Sequence, residues 1–230
     1  SALIAVVVLY PQRPASADRP STGLLDFRPV FRNRRAVSYT LAYAVHNVEL
    51  FALRSWLVAY LFFSKSLQAD GAFGAMWRIT IIATVINALS MPASVIGNEL
   101  AARFGRHRVI TVIMLTSGVL ACVLGFAATW PQWAILVLCA VYGVAIIGES
   151  ASVTAGVVQA APEGYRGATM AVHSCIGFSG SFAGPLVFGI VLDVAGGQSV
   201  MAWGLAFVSA GIGAFMGPLA LYLLRDRKAV

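Results

Sequence analysis

The sequence predicts an all-α integral membrane protein in which six transmembrane helices form one bundle. Three observations predict it. First, 59% of the 230 residues are hydrophobic and only 11% are charged, with a mean hydropathy of +0.82; a soluble domain carries about 25% charged residues. Second, the apolar residues fall into separate stretches of roughly 20 or more, the length that crosses about 30 Å of hydrocarbon. Third, Lys and Arg collect in alternate connections between those stretches, as they do when basic loops are held on one side of a membrane. The same placement accounts for the net charge of +7 without a nucleic-acid partner.

The elements follow in order. Residues 2–10 form an apolar run too short to span, in a chain that begins at Ser1. The run lacks the basic start and cleavage site of a signal peptide, so 1–10 reads as the end of a preceding transmembrane helix. Residues 11–35 are a polar cytoplasmic connector with Pro11, Pro14, Pro20 and Pro29 and six Arg against Asp18 and Asp26. Its aromatic and basic stretch 27–35 reads as a surface-lying approach near anionic lipid or as a regulatory or partner-binding segment. The six-helix bundle occupies 36–224, with spans near 36–64, 73–101, 108–129, 133–160, 168–194 and 201–224. A cytoplasmic tail, 225–230, carries Arg225, Arg227 and Lys228. Thirteen basic residues lie in the connector, the 103–108 loop, Arg166 and the tail, and Lys65 alone lies in the opposite loops. Both ends are therefore expected in the cytoplasm, with the protein in a plasma membrane, a bacterial inner membrane in particular. The second three spans do not obviously copy the first.

The connection between the second and third spans is Asn98-Glu99-Leu100-Ala101-Ala102-Arg103-Phe104-Gly105-Arg106-His107-Arg108. It resembles the Gly-x-Leu-Ala-Asp-Arg-x-Gly-Arg-Arg loop of the major facilitator superfamily of secondary transporters. Pro162-Glu163-x-x-Arg166-Gly167, leading into a Gly-rich span, resembles a second loop of that family. The resemblance covers the whole chain and implies the C-terminal six-helix half: the end of helix 6, the central loop and helices 7 to 12. It further implies secondary active transport of a small organic solute by alternating access, as a symporter or antiporter driven by an ion gradient. An N-terminal six-helix half, in the same chain or a separate one, is then the expected partner besides the bilayer. Arg103, Gly105 and Arg106 become a cytoplasmic gate loop. The loop departs from the pattern where Asn98 replaces the leading Gly and Ala102 replaces the Asp. A different reading is a non-transporting membrane subunit or assembly scaffold of a larger complex.

A charge in the middle of a spanning helix costs about 2.5–3.5 kcal/mol on insertion scales and marks a functional candidate. Glu49, Arg54, Arg78 and Glu149 stand out. At 100° per residue, Tyr39, Tyr43, His46, Glu49, Trp56 and Tyr60 share one face of the first span. That stripe reads as the lining of a substrate cavity, or as a hydrogen-bond network holding helices together. The candidates for substrate cavity or ion coupling are Tyr43, His46, Glu49, Arg54 and Glu149. Glu49 and Glu149 both fall near mid-membrane, where a carboxyl suits reversible protonation; a static salt bridge with Arg54 or Arg78 is the rival. Arg54 points about 140° from Glu49 and either binds an anionic group, meets another carboxylate or snorkels outward. An Arg-lined cavity suits an anion or zwitterion; a polar-aromatic one with two acids suits a cationic compound.

Among the remaining features, Arg78 is expected to snorkel, and Asn87 and Pro92 to sit in a packed, kinked helix. His173 is expected to make an interhelical hydrogen bond. Gly180-x-x-x-Gly184 and Gly213-x-x-x-Gly217 are spaced for close helix packing, with Pro185 beside Gly184 offering a hinge. Cys122, Cys139 and Cys175 lie inside apolar runs and suggest neither metal nor disulfide. No cofactor is expected, and with no nucleophile–base pairing an enzyme is not.

Overall fold

A computed structural model describes residues 26–68 and 76–224. The expected end of a preceding helix (1–10), the connector up to residue 25 and the tail 225–230 lie outside the described residues. Among those described, all regular structure is helical.

A short helix α1 (Arg28–Arg32) has Pro29 in its first turn, where a missing N–H is harmless. Asn33 then starts α2 (Arg34–Ser66). Its side-chain oxygen accepts from Ala36 N at 3.0 Å, and its amide nitrogen donates 2.6 Å to the Ala160 carbonyl. One residue thereby caps the start of one helix and the end of another. The following spans are α3 (Met76–Phe104), α4 (Arg106–Phe126) with a 3-10 turn Ala127–Thr129, α5 (Gln132–Gly148) with α6 (Ser150–Ala160), α7 (Arg166–Val194) and α8 (Val200–Leu223). The Ser199 hydroxyl oxygen accepts from Ala202 N and caps α8.

These limits match the expected spans to within about three residues. The fourth span, expected over 133–160, runs over Gln132–Ala160 and is interrupted at Glu149, which separates α5 from α6. Helix-disfavouring Gly148 precedes the break, and the Ala151 N–H donates to the Ser94 hydroxyl oxygen of α3 at 3.2 Å. The ladder resumes with Val153 N on Glu149 O at 2.9 Å. By contrast α3 runs through Pro92 unbroken, and Asn87 donates back to the Ala83 carbonyl at 2.9 Å.

Five spans among the described residues are long and apolar enough to cross a membrane by length and composition. The exception is α2, whose 33 residues extend about 50 Å but carry His46, Asn47, Glu49 and Arg54. It tolerates His46, Asn47 and Glu49, all buried, because it is the central helix, packed against α7, α8 and α6.

The spans pair as first with fourth, fifth and sixth, second with fourth, and third with fourth and sixth. Exchanging spans one to three for spans four to six maps this pattern onto itself. Successive spans are antiparallel, so the two triplets are related with inverted direction. The triplets are therefore alike in packing although their sequences are not visibly alike.

Two apolar clusters fill the bundle. One, near the turn joining α4 to α5, gathers Leu57, Tyr60, Phe188, Trp203 and Phe207, with aromatic pairs at 5.0–6.2 Å. The Tyr60 hydroxyl donates to the Leu124 carbonyl. The other, on the side of the basic loops, gathers Tyr39, Ala42, Ile110, Met114, Val153 and Leu221. A layer of buried polar residues lies between them.

Candidate functional site

That polar layer is built on the inward stripe of α2. Ala42, His46, Glu49, Leu53, Leu57 and Tyr60 recur at spacings of three and four and are buried. His46 Nδ1 lies 3.0 Å from Glu149 Oε1, and both residues are fully buried. The break in the fourth span delivers Glu149 to this position. It occupies the residue before α6, where the helix dipole favours negative charge.

One turn along α2, Glu49 Oε2 accepts from the Ser117 hydroxyl of α4 at 3.0 Å; the Ser117 hydroxyl oxygen is also 3.0 Å from the Met114 carbonyl oxygen. Tyr142 of α5 faces the same carboxylate. His46 Nε2, Glu49 Oε1, Glu149 Oε2 and the Tyr142 hydroxyl are buried without a protein hydrogen-bond partner. Each such atom costs about 1–3 kcal/mol when left unsatisfied. The site thus holds two carboxyls and an imidazole with spare hydrogen-bonding capacity.

Tyr43, half-buried, stacks between two imidazoles, with its ring centroid 5.8 Å from that of His46 and 4.2 Å from that of His173. His173 stacks where an interhelical hydrogen bond was expected, and its buried Nδ1 has no partner.

The stripe divides by burial. Tyr39, His46, Glu49 and Tyr60 are no more than 4% exposed and pack inside this bundle, whereas Tyr43 and Trp56 are half-buried. Trp56 donates Nε1–H to the Pro185 carbonyl at 3.1 Å. Glu149 pairs with His46 of the first span; Arg54 lies exposed on the other side of α2, its guanidinium 5.9 Å from the Phe51 ring.

The basic loop reverses the chain between α3 and α4 at Gly105, whose φ of 93° favours glycine. Arg106 Nη1 donates at 2.8 Å to Asn98 Oδ1 and to the Ser152 carbonyl, and lies 3.2 Å from Ser152 Oγ. The guanidinium therefore ties the loop to the first turn of α6, just past the break. Neutral acceptors hold it, and Ala102 stands exposed nearby. Arg103 pairs with Glu99 at 2.8 Å on the surface, an exposed contact of about 0.3–0.5 kcal/mol.

The glycines divide. A Cβ at Gly180 or Gly184 would overlap the Ala44 or Val48 carbonyl oxygen, and one at Gly177 the Tyr43 ring. These small residues let α7 lie against α2, where Asn47 Nδ2 donates 3.0 Å to the Gly177 carbonyl. Gly217 is crowded by the Met114 side chain, but Gly213 meets only Val48 Cγ1 at an ordinary 3.7 Å.

Sequence reasoning missed Ser117, Tyr142, Ser94 and Ser152. No spacing marks them, since each lies on a different helix from the group it serves. The break itself had a signal in Gly148-Glu149-Ser150, a weak helix former followed by a charge and a capping residue.

The described residues include no group of three or more His, Cys, Asp or Glu that would hold a metal ion. Comparison with curated proteins finds no match. The sequence model of the Major Facilitator Superfamily matches residues 1–185 and 50–230, two overlapping matches that together span the chain. With its helical membrane bundle, the chain belongs to the Major Facilitator Superfamily, a family of membrane transporters.

Proposed function

We propose that this bundle is one half of a proton-coupled secondary transporter for a small organic solute, with His46 and Glu149 as the coupling pair. The observation that carries the reading is Glu149 at a break in a spanning helix, fully buried, 3.0 Å from His46. A carboxyl in lipid-shielded protein is retained at a cost that a scaffold has no use for. Proton uptake by Glu149 removes the charge that holds the imidazole. It also changes the charge at the start of α6, the segment that Arg106 ties to the basic loop. Protonation and the position of α6 are then linked, as coupling requires. Glu49, one turn away and bonded to Ser117, is the second acid of the same layer.

Alternating access requires a second six-helix bundle opposite this one. Solute would bind between the two, where the exposed Arg54 is available to an anionic or zwitterionic group. The basic side is cytoplasmic by the distribution of Lys and Arg, and the membrane is a plasma membrane. Proteoliposomes containing the full-length protein and an internal pH dye test this reading. Solutes from a panel of organic anions, zwitterions and cations are added outside. The expected result is proton movement evoked by the transported solute alone. Solute uptake without any proton movement would overturn the coupling.

A further inference from the structure

Away from the polar layer, α3, α4 and α5 part to leave a recess of about 240 Å³ on the outer surface of the bundle. Its floor is small: Gly97, Ala145 and Gly148. Gly97 and Gly148 cross so closely that a Cβ on Gly97 would overlap the Gly148 carbonyl. Its rim is branched and exposed: Ile96, Leu100, Val112 and Val144. The recess is nearly devoid of polar surface, so water gains nothing there and hydrocarbon does.

The recess also has a charged end. Leu100 is one turn from Arg103 on α3, and Val112 is one turn from Arg108 on α4. Arg108 is exposed, whereas Arg106 is committed to Asn98 and Ser152 and Arg103 to Glu99. An apolar slot leading to an exposed guanidinium at the membrane surface matches one amphiphile, a lipid with an anionic headgroup.

We infer that this recess seats one acyl chain of an anionic phospholipid from the leaflet on the basic side, its phosphate on Arg108. The chain packs on the Gly97–Gly148 crossing, directly before the break at Glu149. Occupancy thereby supports the contact between α3 and α5 next to the interruption of the fourth span at Glu149.

Native mass spectrometry of the full-length protein tests the site, after detergent extraction and incubation with equal amounts of phosphatidylglycerol and phosphatidylcholine. The wild type should retain phosphatidylglycerol preferentially, by about fivefold per arginine contact. Arg108→Ala should abolish the preference while lipid is still retained. Ala145→Phe should abolish retention of both lipids by filling the recess. Thr116→Phe, at an exposed position on the recess wall, should do the same without touching the helix crossing, which covers the case in which Ala145→Phe misfolds. Equal retention of the two lipids by the wild type would overturn the proposal. So would wild-type retention in both Arg108→Ala and Thr116→Phe. Cross-linking of a Thr116→Cys variant to a second polypeptide in native membranes would assign the recess to a protein helix and overturn it as well.

Discussion

His46 and Glu149 form a contact between the first span and the fourth, so removing one leaves the other buried and alone. In a soluble core this would cost about 3–5 kcal/mol. Within a membrane bundle interhelical hydrogen bonds average only about 0.6 kcal/mol, with a maximum near 1.7, because lone groups find other partners or neutralise. His46→Ala should therefore lower stability by about 1 kcal/mol, read as earlier thermal unfolding in detergent. Replacing both residues, as His46→Gln with Glu149→Gln, should recover part of that loss; an additive double variant would mean that the two do not interact. The roles of Glu49 and Glu149 as buried acids were legible in the sequence, since an ionisable residue among Leu, Ile and Ala is conspicuous. Their partners were not. Ser117 and His46 bond to them, and Tyr142 comes to face Glu49, only through the crossing of helices far apart in the chain.

Helix packing sets how each element tolerates change. Ala substitution at Gly180 or Gly184 should destabilise the protein by about 1–3 kcal/mol, the cost of overpacking, because backbone carbonyls of α2 stand in the way. Gly213→Ala should be neutral within about 0.5 kcal/mol, although its sequence motif is the same. Thermal unfolding of the three variants distinguishes a packing role for the spacing from one for the local approach. On α6, Arg106→Gln removes the tie to Ser152 and should speed hydrogen exchange in Ser150–Ala160 relative to α5. Unchanged exchange would mean that the loop does not hold the segment. Helix positions were readable because apolar runs and basic loops bracket every span. The break at Glu149 was less so, because periodicity continues across it; Gly148-Glu149-Ser150 is its local sign, and the Ser94 hydroxyl that takes up the Ala151 N–H lies on a neighbouring helix.

At the scale of the molecule, six spans with thirteen basic residues on one side predict that both ends of the bundle are cytoplasmic. A reporter fused after Val230 should be active only in the cytoplasmic compartment, and a periplasmic signal would reverse the orientation. The inverted kinship of the two helix triplets belongs to this scale too. It escapes a single sequence because close packing asks for small residues and suitable crossing points, which many different sequences supply. The central claim is that Glu149 links proton uptake to transport, and solute uptake by Glu149→Gln proteoliposomes under an imposed pH gradient tests it most directly. With equilibrium exchange of the same solute as the control, the account predicts that the variant still exchanges solute but no longer accumulates it. Accumulation at the wild-type level would contradict it.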